Sequence, residues 1–174
     1  LAKHPLVDQY DLSSLKQDEA ERERLMRNIE AERNRLRQIL EQMPIGVAIA
    51  EAPRGGMSFL NVEGSRLLRH PLIAGEDYRV LAQYGAQHED GTPYRAEEYP
   101  MARALLSGDV VKGEEMHYRR GDGTRTVFSV DSAPIFGAEG RMAMTIATFI
   151  DIAERKRSEE ALREREHRFA KAFQ

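Results

Sequence analysis

Between residues 12 and 43, apolar side chains recur at helical spacing within a mostly charged stretch: Leu15, Leu25, Ile29, Leu36, Ile39 and Met43. The pattern predicts one long helix over residues 12–43, stopped by Pro44. Asp18–Arg22 and Glu23–Arg27 stand four apart with the acid first, each pair worth roughly 0.3–0.5 kcal/mol. Written as heptads, Leu15, Arg22, Ile29, Leu36 and Met43 share one seam position, and Asp18, Leu25, Glu32 and Ile39 share the other. Asp18, Arg22 and Glu32 weaken that seam. We expect a parallel dimeric coiled coil held through Leu25, Ile29, Leu36, Ile39 and Met43. The alternative is a solvated helix docked on its own domain.

After Pro44 the period changes. Residues 45–50 alternate and predict a strand, Gly55-Gly56 a turn, and residues 57–60 a second short strand. Helical spacing returns over 61–70, stopped by Pro71, then over 78–84 and over 97–106, with a polar loop at 88–93 between them. Three longer alternating runs follow, at 110–120, 124–136 and 142–150, joined by Gly121-Asp-Gly123 and Gly137-Ala-Glu-Gly140. Two strands, short helices and a three-stranded meander make an α+β plan around one antiparallel sheet. From residue 153 to the end a second charged helix is expected. Leu162, Phe169 and Phe173 keep heptad spacing there, and Glu159–Arg163 and Glu164–Arg168 repeat the acid-first pairs.

Charge sharpens these boundaries. Residues 16–41 carry seven basic and seven acidic side chains, while all 13 glycines lie between Gly46 and Gly140. We therefore divide the chain into a frayed end or expression remnant (1–11), a signalling helix (12–43), a globular centre (44–152) and a second signalling helix (153–174). The chain opens on Leu1, which is read as an excised piece. A net charge of −3 gives no field to draw in nucleic acid or an anionic membrane. With no cysteine there is no disulfide, thiolate metal site or Cys nucleophile. The apolar run 142–150 is too short to span a bilayer. These features point to a cytoplasmic chain without direct membrane contact.

Enzyme patterns are poor. Arg54-Gly-Gly-Met and Gly121-Asp-Gly are turn signals and not phosphate loops, and no His-x-x-x-His metal pattern occurs. Glu97-Glu98 and Glu114-Glu115 are adjacent and point apart. Arg119-Arg120 is too small a patch for nucleic acid.

Several segments resemble the PAS sensory domain family. Arg119-Arg-Gly-Asp-Gly123 is followed by Ser132-Ala-Pro-Ile135, then by Gly140-Arg141. Next comes Phe149-Ile-Asp-Ile-Ala-Glu-Arg-Lys-Arg-Ser-Glu-Glu-Ala-Leu162, which looks like the Asp-Ile-Thr entry to a signalling helix, with Ala153 where Thr is usual. Phe59-Leu-Asn61, Gly91-Thr-Pro-Tyr94 and Tyr99-Pro-Met-Ala-Arg-Ala104 add to the likeness. The resemblance implies a five-stranded sheet of order 2-1-5-4-3, helices on one face, and a ligand cavity between them. It also implies a bacterial homodimeric sensor that passes a signal along its flanking helices. The output would be a histidine kinase of a two-component phosphorelay, with a diguanylate cyclase or phosphodiesterase as the alternative.

By the resemblance, Asp151 pairs with Arg155 and couples the sheet to the helix. Strand alternation, anchored on the family pattern, turns Met116, Tyr118, Phe128, Val130, Thr145 and Phe149 toward the helices. With Tyr78, Tyr84, Tyr99 and Leu105 they would line the cavity, or else simply fill the core. Phe128 and Phe149 stand where the family's flavin sensors carry amides, so no flavin is expected. Haem needs an axial ligand, and His4, His70, His88, His117 and His167 are all poorly placed for one. His167 lacks the residues that follow a phosphoacceptor. We expect no cofactor, no metal and no catalysis by these residues. The two open readings are a sensor for a small ligand or partner and a structural relay that binds nothing.

Overall fold

The computed structural model of the chain describes the backbone of residues 6–172 and the side chains of residues 14–169. Helix α1 runs Leu6–Gln42. It starts within the stretch expected to fray, whose first five residues lie outside the described ones. It ends one residue before Met43, so Met43 is not part of the helix that carries the other seam positions. Leu25, Ile29, Leu36 and Ile39 are all exposed in the single chain. The chain divides into two units between Glu41 and Gln42.

The second unit is built on an antiparallel sheet. Its strands are β1 (Gly46–Glu51), β2 (Gly56–Leu60), β3 (Ala86–Gln87), β4 (Val111–Arg119), β5 (Arg125–Phe136) and β6 (Met142–Asp151), in the order β2-β1-β6-β5-β4-β3. The expected five strands keep their expected order, and the sheet gains a sixth at its edge. There Ala86 and Gln87 pair with Tyr118 and His117. Period-two patterning cannot reveal a strand of two residues. Its approach depends on Gly85, where a Cβ would stand 1.8 Å from the Arg119 carbonyl oxygen.

Helix α2 (Val62–Leu68) packs on β1, and α3 (Pro100–Ser107) packs on β5 and β6. The helix expected over 97–106 is broken in two, a 3-10 turn at Ala96–Glu98 and then α3. Pro100 lacks an N–H and suits the first helical position. Another 3-10 helix covers Tyr78–Gln83. Helix α4 (Ala153–Ala172) leaves the end of β6, and Phe173 lies outside the described residues.

Asn61 is the polar tie of this unit and is completely buried. Its Oδ1 accepts the Val47 N–H at 2.9 Å and the Gly64 N–H at 2.8 Å, and its Nδ2 donates to the Ile45 carbonyl at 2.9 Å. One side chain thus caps α2 and fixes it to β1. The core lies between the sheet and the short helices, with Tyr118, Phe128 and Val130 among its least exposed side chains. Among the described residues no helix is long and apolar enough to cross a membrane.

Candidate functional site: an apolar cavity and a charged joint

A cavity of about 60 Å³ lies between the sheet and the helices. Its floor exists because two small residues, Ala48 of β1 and Ala147 of β6, face each other across the strands. Phe149 bounds one side, lying over β1 so closely that a Cβ on Gly46 would be 2.3 Å from its ring. Of the expected lining residues, Tyr84, Tyr99, Met116, Tyr118, Phe128, Val130 and Phe149 border the space.

Tyr78, Leu105 and Thr145 do not. Tyr78 and Leu105 converge on Gly55 instead, and the Arg79 guanidinium stands 5.6 Å from the Tyr78 ring. Thr145 is fully buried one step beyond Ala147 on the same face of β6, and its hydroxyl has no hydrogen-bond partner. Eight further residues border the space without having been expected there, among them Ala48, Met57, Leu68 and Ala147. The alternation of β1 could have suggested Ala48. The void between two alanines leaves no trace in a hydrophobic pattern.

The walls are uncharged. Burial pushes the Tyr99 and Tyr118 phenols well above their ordinary range and raises Tyr84 as well. Each hydroxyl has a partner. Tyr84 accepts the Ile73 N–H at 3.0 Å, and Tyr99 accepts the Ala86 N–H at 3.1 Å. The Tyr118 hydroxyl lies 2.8 Å from His70 Nε2. The Tyr118 ring is tilted against Phe128, and Phe128 stands edge to face on Phe149, with centroids 5.3 and 5.4 Å apart.

At the end of the sheet, Asp151 closes β6 and opens α4. Its Oδ1 accepts the Thr126 hydroxyl at 2.8 Å and the Ala153 N–H at 2.9 Å, an Asx turn that starts the helix. Its other oxygen pairs with Arg120 and not with Arg155, which pairs with Glu159 at 3.7 Å. A residue at the start of a helix cannot turn back onto a carboxylate already filled from the sheet side. Arg120 is nearly buried, its side chain 13% exposed, and its Nε donates to the Leu67 carbonyl at 2.9 Å. Leu67 precedes Leu68, a cavity wall. Ile152 is buried, and Lys156 pairs with Glu115 of β4. That contact holds the Glu115 carboxyl below its usual range.

A groove of about 740 Å³ runs over this joint. Arg66, Arg69, Arg120, Arg125, Lys156 and Arg157 line it with Asp151, Glu154 and Glu160. Arg69 pairs with Asp122 outside the groove, and that carboxyl, also held by Thr124, falls to about 2. His117 opens into the groove.

No family model and no curated protein matches this chain. Solved structures do. The chain is similar to an RNA-binding light-oxygen-voltage receptor (TM-score 0.57, 22% identity), with 75% of this chain aligned to 36% of that one. It is also similar to a sensory box histidine kinase/response regulator from Burkholderia thailandensis E264 (TM-score 0.51, 14% identity, 79% of this chain and 98% of that one). The fold is the PAS fold. A light-oxygen-voltage domain described with a flavin analogue shares it as well (TM-score 0.53, 14% identity, 76% of this chain and 95% of that one). About 60 Å³ is far below the roughly 300–1,000 Å³ of small-molecule sites, and the Phe128 and Phe149 rings that border it carry no hydrogen-bonding group. Among the described residues no group of His, Asp and Glu could hold a metal ion.

Proposed function

We propose that this chain is a sensory and regulatory module whose core state is passed to α4 and on to a C-terminal output, a histidine kinase. The observation that carries this reading is the chain Leu68–Leu67–Arg120–Asp151–Ala153. It leads from a cavity wall, through a nearly buried guanidinium, to the first N–H of α4. A change in the cavity that shifts α2 moves the Leu67 carbonyl, and with it the arginine that holds the start of the output helix. Similarity to a sensory box histidine kinase supports the choice of output. Arg120 takes the role expected of Arg155.

The exposed Leu25, Ile29, Leu36 and Ile39 support a homodimer through α1. We assign the module no flavin, a choice supported by the cavity volume, by the two phenylalanines and by the absence of cysteine. Haem is left out as well: among the described residues no histidine borders the cavity. The small cavity also favours a second reading, a relay that binds nothing and responds to partners alone.

Fusion of α4, in heptad phase, to a histidine kinase core tests the proposal. Ala147→Leu fills the cavity and should change autophosphorylation, and adding Arg120→Ala should abolish that change while the sheet stays folded. A change that survives Arg120→Ala would overturn the relay through this arginine. Light scattering should give a dimer that Ile29→Asp converts to monomer, and a monomeric parent chain would end the α1 seam.

A further inference from the structure

The groove over the joint is supplied by two sets of residues. Arg66 and Arg69 at the end of α2, Arg120 after β4 and Arg125 at the start of β5 make up one set. Lys156 and Arg157 of α4, with Glu154 and Glu160, make up the other. Asp151 is the one groove carboxylate outside α4, and its oxygens are already taken by the Thr126 hydroxyl, the Ala153 N–H and Arg120.

Most of these cations are paired with acids that do not line the groove: Arg66 with Glu63, Arg69 with Asp122 and Lys156 with Glu115. Arg125 and Arg157 differ. Among the described residues neither has a carboxylate within ion-pair distance, and Arg157 donates only to the Ala153 carbonyl, through Nε at 3.2 Å. Arg125 also stands directly across the ladder from Arg119, another cation without a carboxylate. Like charges in that position repel. No side chain among the described residues relieves this repulsion; an anion in the groove does.

The space, about 740 Å³, falls within the roughly 300–1,000 Å³ of small-molecule sites. The terminal nitrogens of Arg125 and Arg157 are planar forks that match phosphate oxygens. None of the lining residues is Tyr or Phe, so single-stranded nucleic acid finds no such platform for its bases. We propose that the groove binds a small ligand bearing two linked phosphates, one held by Arg125 of β5 and the other by Arg157 of α4. Bound there, the ligand ties the second turn of α4 to the sheet, beside the Lys156–Glu115 contact. It thus acts on the joint from the solvent side. That action rests on the relay reading; the binding does not.

Sodium pyrophosphate is the probe, titrated into the 174-residue chain and followed by calorimetry and backbone amide signals. Saturable binding of one ligand per chain is expected, weakening as salt rises from about 50 to about 200 mM and screening tightens. Arg125→Gln and Arg157→Gln change exposed side chains and should each weaken binding about two- to fivefold, the worth of one solvent-exposed ion pair. Arg163→Gln, farther along α4 and outside the groove, should leave it unchanged. Bound pyrophosphate should slow amide exchange at Arg157 and Ser158. No saturable binding, or an equal loss in Arg163→Gln, would overturn the proposal. Tighter binding of a hexaglutamate peptide would also overturn it and make the groove a docking site for an acidic protein segment. Binding that leaves exchange in α4 unchanged would keep the site and overturn its action on the relay.

Discussion

The cavity and the groove are supplied by the same strands, often by adjacent residues, yet they are opposite environments. Tyr118 and Phe128 border about 60 Å³ of apolar space, while their neighbours His117 and Val127 border about 740 Å³ of charged, solvent-filled groove. One step along a strand turns a side chain to the other face. In the cavity, stability follows packed volume and salt has little effect. In the groove, charges are largely screened and individually worth little, except where Arg120 and Asp151 leave water together. The difference bears on where the proposed relay would cross the sheet: at its end, a nearly buried guanidinium bonds both the Leu67 carbonyl of α2 and the Asp151 carboxylate that accepts the first N–H of α4.

The sharpest way to break this comparison is to remove bulk one residue apart. Phe128→Ala should cost about 3–5 kcal/mol in urea unfolding, and Val127→Ala about 1 kcal/mol or less. Equal costs would mean that the two faces are not distinct. Next in size is Asn61→Ala, which leaves the Val47 and Gly64 N–H groups and the Ile45 carbonyl without their shared partner. A loss of about 3 kcal/mol is expected from denaturant midpoints.

Arg120→Ala should cost about 1–3 kcal/mol and speed amide exchange in the first turn of α4, while Arg125→Ala and Arg155→Ala stay within about 0.5 kcal/mol. Exchange equally fast in Arg155→Ala would restore the expected pairing. The smallest effect concerns pH. The Asp122 carboxyl is depressed to about 2 by Thr124 and Arg69, so its contribution is complete above the ordinary carboxylate value and fades as pH falls from about 4 to about 2. Carboxyl-carbon titration should place it there, and in Arg69→Ala the midpoint should rise.

Period-two and 3.6-residue patterns survive in a chain whose sheet has one face on an apolar core and the other on a charged surface, which is why β1, β2 and the three long strands are legible with their helices. Seven of the ten expected lining residues border the cavity, and for five of them, Met116, Tyr118, Phe128, Val130 and Phe149, alternation from a correctly placed strand fixes which way each one points. Tyr78 and Leu105 fail since they lie on a 3-10 helix and a short helix, whose rotation is set by what they pack against. Thr145 fails for a different reason: it faces the right way but lies beyond the void. The pairing of Asp151 shows the limit most plainly. Acid and base four apart look like partners on any helix, but Asp151 precedes the helix and is claimed by Arg120, just past the end of β4 and 31 positions earlier.

The sequence by itself determined the antiparallel strands, the charged arms, the family resemblance and the face each long-strand residue presents, because these follow from local backbone geometry and the cost of burying charge. Tertiary structure alone decided the edge strand at Ala86–Gln87, the void over Ala48 and Ala147, and the bonds of Arg120 and His70. Each depends on which distant residues come within a few ångströms of one another, and hydrophobic periodicity does not encode that distance.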